Sequence, residues 1–170
     1  MFDGREFDQL YALMEESFPI SERRTYEGQK ALLTDPHYRL VTKSDTNNQI
    51  IAFIASWEFT AFRFVEHIAV DPFMRGSGTG GKLMASYLEE SLKPVILEVE
   101  LPDTELAKRR IGFYERLGFH LNPFDYVQPP LQKGQADLPL YIMSYPRLIT
   151  EEEFSQIREI LYANVYKVAL

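Results

Sequence analysis

The chain has 170 residues, 45% of them hydrophobic and 14% aromatic, which predicts one folded domain spanning residues 1–170 and not a disordered segment. Its net charge of -7 argues against a nucleic-acid partner, and the absence of cysteine excludes disulfides, thiolate-held metal and a cysteinyl acyl-enzyme. With no apolar run of about 18 residues and a polar start, MFDGREFDQL, the expectation is a soluble, cytoplasmic protein with no membrane partner.

Phe7, Leu10, Tyr11, Met14 and Phe18 recur at helical spacing and Pro19 ends the run, so residues 5–18 read as an amphipathic helix, with a second helix after Ser21. HYRLVTK and QIIAFIASWEF flank the turn sequence SDTNN and form a hairpin; FRFVEHIAV is a third strand. A glycine loop leads into a helix over 79–91, PVILEVE is a short buried strand, and TELAKRRIGFYERLG is a helix stopped by Gly118. FHLNPF and LYIMSYP are the last strands, separated by a loop over 125–139, and a helix opens at the capping box Thr150-x-x-Glu153. The order predicts an α/β (α+β) fold: a mixed, mostly antiparallel sheet of about six strands flanked by helices, closed by a C-terminal helix, with one parallel crossover through the glycine helix.

The chemistry concentrates in RGSGTGGKL, Arg75 to Leu83, where four glycines fit three phosphate-binding patterns. All three exploit glycine's tolerance of close backbone approach and the free N–H groups of a helix start. The P-loop pattern fails because Leu83 stands where a Ser or Thr must hold magnesium. The dinucleotide pattern finds a ribose-binding acid in Glu98 or Glu100. Against it, DPFMR separates the strand from the first glycine, and a second mononucleotide half is missing. A glycine-rich helix entry without a ligand is the third alternative, and R-x-x-G-x-G the fourth.

HIAVDPFMRGSGTGGKLM, then ILEVE, then IGFYERLGF resembles the GNAT superfamily of acetyl-CoA-dependent N-acetyltransferases, over roughly residues 50–123. The resemblance implies acetyl-CoA as co-substrate. Its pyrophosphate would be cradled by the backbone of Arg75, Gly76, Ser77, Gly78, Thr79 and Gly80, and its pantetheine arm paired with Ile68, Ala69 and Val70. It implies that Tyr114 protonates the departing thiolate, and that Glu98, in LEVE, stands where some peptide-amine acetylating relatives have a catalytic glutamate. Two features depart from the family pattern. The helix begins too early for a full first strand, and DTELAKRR lengthens the stretch from Glu98 to Tyr114 by about one turn. Lys108, Arg109 and Arg110 therefore read as a solvated helix face or as contacts to CoA phosphates.

A lysine-like amine, of pKa about 10.4, is deprotonated in only about one molecule in 2,500 at pH 7, so a proton acceptor is useful. Glu66 and Glu98 each interrupt an apolar strand, Glu66 sharing a face with Ile68 and Val70, and desolvation there is expected to raise a carboxyl toward neutrality. Each is a candidate base; the competing reading is an internal ion pair or a solvated carboxylate. His67 reads as structural, His37 and His120 are isolated, and no metal site is expected. Ser77 has no histidine beside it, so direct attack through a tetrahedral intermediate, with the oxyanion near Ile68 or Ala69, is favoured over an acyl-enzyme. The acceptor is expected to be a primary amine of a small, cationic molecule, with a peptide amine or a non-catalytic CoA sensor as alternatives, in a monomer or homodimer. Tyr126, Tyr141 and Tyr145 either wall the amine site or pack the core. The C-terminal segment, 140–168, is expected to dock on its own domain or a partner.

Overall fold

The computed structural model describes residues 2–168, in which six β-strands and five α-helices follow one another in the expected α/β order. Two compact units divide the chain, 1–95 and 96–170. Among the described residues no helix is long and apolar enough to cross a membrane.

In the first unit, α1 (Gly4–Ser17) starts where the Asp3 side chain accepts from the Glu6 amide at 2.8 Å, and it buries Phe7, Leu10, Tyr11, Leu13 and Met14. Pro19 follows its end, as expected. The second helix begins later than expected: a 3-10 turn occupies Ile20–Glu22, and α2 (Tyr26–Ala31) starts only at its Thr25 cap. Strands β1 (Tyr38–Ser44), β2 (Ile50–Glu58) and β3 (Arg63–Val70) form an antiparallel meander. The SDTNN turn is shaped by Asp45, whose carboxylate accepts the amides of Asn47 at 2.8 Å and Gln49 at 3.0 Å, while Asn48 takes φ 61°. Phe53, Ile54, Trp57 and Phe64 are fully buried and form the centre of this core. Helix α3 (Thr79–Glu89) adds Met84, Tyr87 and Leu88.

The β2–β3 register slips once. Ala55 faces His67 and Ser56 faces Val65, so Glu66 is the extra residue of a bulge. A bulge re-aims the side chain it carries.

The second unit begins inside β4 (Val95–Glu100) and continues through α4 (Glu105–Arg116), β5 (His120–Gln128), β6 (Leu138–Tyr145) and α5 (Glu151–Asn164). Thr104 caps α4, and Gly118 ends its turn at φ +102°, a conformation only glycine adopts without strain. The expected loop is shorter than predicted. Residues 125–128 extend β5, because the ladder with β6 breaks register between Asn122 and Tyr126 and so absorbs Pro123. Buried Asn122 donates to Ser144 Oγ at 2.9 Å and accepts from the Ile149 amide at 3.0 Å, fixing the approach to α5. That helix opens on the full Thr150–Glu153 capping box and buries Phe154, Ile157 and Leu161, with Phe154 stacked on Phe124. Its apolar face is thus covered within its own unit. The helix stops at Asn164, short of the predicted run, whose last two residues lie outside the described ones.

Candidate active site

The glycine loop sits in the first unit. Asp71 ends β3 and accepts the Phe73 amide at 2.9 Å, starting a 3-10 turn over Pro72–Met74. Gly76 and Gly78 both take φ +82°, and a Cβ built on either meets nothing within 4 Å. Ser77 Oγ donates to the Met74 carbonyl and lies 2.7 Å from Thr79 Oγ1, while Arg75 Nε reaches the Val70 carbonyl at 3.3 Å. The helix starts are unequal. Asp3, Thr25, Thr104 and Thr150 cap α1, α2, α4 and α5 with side-chain oxygens, but α3 begins on Gly78 with no side-chain cap. The first amides of a helix lack intrahelical acceptors, so this exposed loop presents N–H groups and the positive dipole end to an anion. The first two residues of the α3 start, Thr79 and Gly80, and the strand residues Ile68, Ala69 and Val70 belong to the same unit. Ile68, Ala69 and Val70 pair with Ile54, Phe53 and Ala52 beyond the Glu66 bulge.

The Glu66 side chain is buried, but the expected upward shift is not what the structure gives. Burial is the largest influence and pushes the carboxyl up. Arg24 at 2.8 Å, His67 and the Trp57 indole N–H at 2.9 Å together outweigh it and hold the group below the usual carboxylate range. Glu66 is therefore one half of an internal ion pair. Arg24 is in turn anchored through its carbonyl, which accepts from Tyr11 Oη at 2.6 Å. His67 is structural: Nε2–H donates to the Glu22 carbonyl at 2.7 Å, the ring meets Phe18 edge-on, and burial keeps it neutral against the pull of Glu66.

Glu98 belongs to the second unit and has a different environment. Tyr126 Oη donates to its Oε2, and Tyr166 Oη donates to its Oε1 at 2.6 Å. The carboxylate is half-buried, and each of its oxygens accepts from one phenol. Burial first, then the charge and hydrogen bond of Glu98, push the Tyr126 phenol well above its ordinary value, so it stays protonated as the donor. Tyr114, on α4, packs edge-on against Phe113 and Phe119, and burial pushes its phenol up to about 12 against an opposing pull from Arg110. Arg110 pairs with Glu100 at 2.8 Å and Lys108 with Glu105 at 3.4 Å, so each of these two cations faces its own acid on a solvated surface.

The profile of the Acetyltransferase (GNAT) family matches residues 7–119. The chain belongs to the GNAT acetyltransferase family. It is 30% identical over 159 residues to YjbC of Bacillus subtilis (strain 168), a protein assigned as an acetyltransferase, covering 92% of this chain and 80% of that one. A solved structure assigned as a GNAT-family acetyltransferase from Bacteroides thetaiotaomicron is 36% identical, with a TM-score of 0.88 over 96% of this chain and 93% of that one. The ribosomal-protein-S18-alanine N-acetyltransferase from Escherichia coli shares the fold at 21% identity, with a TM-score of 0.65 over 88% of this chain and 94% of that one. The GNAT family match covers the glycine loop, Glu66, Glu98 and Tyr114, and stops before Tyr126 and Tyr166. Tyr166 was not legible as a site residue. In the sequence it is one more aromatic inside a predicted helix, and only the turn after Asn164, where its amide bonds the Leu161 carbonyl, directs it to β4.

Proposed function

We propose that this GNAT protein transfers an acetyl group from acetyl-CoA to a primary amine by direct attack in a ternary complex. The observation that carries the reading is the start of α3 on Gly78, the one α-helix among the described residues whose N-cap residue supplies no side-chain oxygen, with only a long 3.4 Å bond from the Thr79 amide to Ser77 Oγ in its first turn. An anion with several oxygens, such as the CoA pyrophosphate, offers acceptors to the amides of this loop and of the helix start. Pairing of the pantetheine arm with the backbone of Ile68 to Val70 suits the strand that leads into this loop.

Glu98 is the better candidate for the base. Glu66 is committed to Arg24, and withdrawing it as a proton acceptor would leave that cation buried without its partner. Glu98 accepts from the neutral phenols of Tyr126 and Tyr166, so taking up a proton breaks no ion pair with them. In the proposed reaction the ammonium gives one proton to Glu98, which passes it to solvent; the freed amine nitrogen then bonds to the acetyl carbonyl carbon and loses its second proton by the same route as the tetrahedral intermediate collapses. The carbon–sulfur bond breaks, and Tyr114 Oη protonates the leaving thiolate and is re-protonated by solvent. A phenol held at about 12 is fully protonated at neutral pH and ready to donate. The net charge of -7 and the carboxylate favour an acceptor that arrives as a cation, and a small molecule is the preferred class.

The test is acetyl transfer from acetyl-CoA to a panel of polyamines, aminoglycosides, amino-acid derivatives and short peptides, with wild type and Glu98→Gln. Wild-type turnover of at least one amine is expected, with Glu98→Gln slower by about 10²-fold or more at pH 7 and less impaired at high pH, where free amine is abundant. Acetyl-CoA binding without turnover of any amine would leave a CoA-binding sensor as the better reading.

A further inference from the structure

Resting on the reading of Glu98 as base, we propose that Tyr126 and Tyr166 are positioning residues that clamp both oxygens of the Glu98 carboxylate. The clamp would couple the segment after α5 to proton transfer. Each oxygen has its own phenol donor, from separate elements: Tyr126 on β5 and Tyr166 in the turn that follows α5. Both tyrosines are buried, at 5% and 8% exposure, although a phenol of this size gains no packing advantage over phenylalanine unless its hydroxyl is bonded. A carboxylate gripped at one oxygen can rotate about its last torsion; gripped at both, it is held in one orientation.

The support for Tyr166 is built from the same helix. Its amide bonds the Leu161 carbonyl at 3.1 Å, Val168 N bonds the Tyr162 carbonyl at 2.8 Å, and Tyr162 Oη donates to the Val127 carbonyl at 2.6 Å. The rings of Tyr126, Tyr162 and Tyr166 pack in sequence, with centroids 6.1 and 6.4 Å apart. Displacing the segment after α5 therefore displaces a donor of the base. The phenols of Tyr126, Tyr162 and Tyr166 all face Glu98 from β5, α5 and the turn after it. The Tyr162 phenol is raised by burial first, with a smaller contribution from the Glu98 charge. The neighbouring Glu100 is neutralised by Arg110.

Donors to a carboxylate favour its charged form, the form that accepts a proton. Tyr166→Phe and Tyr126→Phe keep the rings and remove one donor each. The measurement is kcat/KM against pH with saturating acetyl-CoA, together with a ¹³C NMR titration of the Glu98 carboxyl, which needs only folded protein. Each single variant is expected to lose roughly tenfold in kcat/KM near neutrality, with the acid limb and the carboxyl titration both moved to higher pH and KM for acetyl-CoA unchanged. The double variant should move further than either. If Glu98→Gln is impaired but the acid limbs and carboxyl titrations of both phenylalanine variants superimpose on wild type, the clamp is wrong while the base assignment stands. Wild-type rates in Glu98→Gln would remove the base assignment, and this inference with it.

Discussion

Arg24 Nη1 lies 2.8 Å from Glu66 Oε2, with the two side chains only 9% and 2% exposed, so a full ion pair is held at the bulge of β3. Breaking such a pair strands the other charge away from water at a cost of about 3–5 kcal/mol, whereas replacing both partners by apolar residues is often nearly neutral. Arg24→Met and Glu66→Gln should each lower the melting temperature by about 10 °C, and Arg24→Met/Glu66→Met should recover most of the loss. Calorimetry of the three variants decides this. Single variants that melt with wild type would show that the pair contributes nothing.

The pH dependence follows from the direction of the same shift. Glu66 is held below its unfolded value, so its contribution is complete above about pH 4.3 and fades as pH falls through the lower folded value. Wild type should therefore lose stability in acid more steeply than the doubly apolar variant. Melting curves from pH 7 to 3 that run parallel in the two proteins would contradict it.

These two carboxylates also mark how far the sequence could be read. Pro19 ended α1, SDTNN made its turn and Thr150-x-x-Glu153 its capping box, because each is decided by residues within a few positions. The glycine loop was legible for the same reason. The electrostatics were not, because Arg24 lies 42 residues from Glu66, and Tyr126 and Tyr166 lie 28 and 68 residues from Glu98. Burial alone predicted raised carboxyls, and only long-range partners reverse that for Glu66. The length of β5 was hidden too, since Pro123 signals a break that the register irregularity accommodates.

The α5 capping box gives an independent stability prediction. Arg147 first, then the Thr150 amide, hold Glu153 down at about 2, and Thr150 Oγ1 accepts the Glu153 amide at 3.1 Å. Thr150→Ala should cost about 1 kcal/mol. The Arg147–Glu153 pair is part-exposed, so it adds a smaller, salt-sensitive contribution, present above about pH 4 and lost as pH falls toward about 2. Denaturant unfolding of Thr150→Ala and Arg147→Ala at low and high salt separates the two, since only the second should depend on salt.

Gly78 tests the anion site. At φ +82° an alanine is strained by about 1–2 kcal/mol, though no atom lies within 4 Å of its Cβ. Gly134 has φ +88° and equally open surroundings, so Gly134→Ala imposes similar strain in the second unit. Gly78→Ala should weaken acetyl-CoA binding by about tenfold or more in calorimetric titration, while Gly134→Ala leaves it unchanged. Equal affinities in both variants would place the pyrophosphate elsewhere.

Tyr114→Phe isolates the proposed acid. The substitution preserves the edge-on contacts with Phe113 and Phe119, so stability should stay close to wild type while the only proton donor on the ring is lost. A thiol resembling cysteine has a pKa of about 8.5, so an unassisted thiolate is a moderate leaving group and the loss in kcat should be about 10- to 100-fold. KM for acetyl-CoA should not change, because the interaction forms only as the carbon–sulfur bond breaks. Two further signatures separate an acid from a packing residue. With the phenol held at about 12, the wild-type rate should show no basic limb from Tyr114 below about pH 10. An acetyl thioester of a more acidic thiol should narrow the gap between Tyr114→Phe and wild type, because a better leaving group needs less protonation in the transition state. A gap independent of the thiol would assign Tyr114 to packing and leave protonation of the thiolate to solvent.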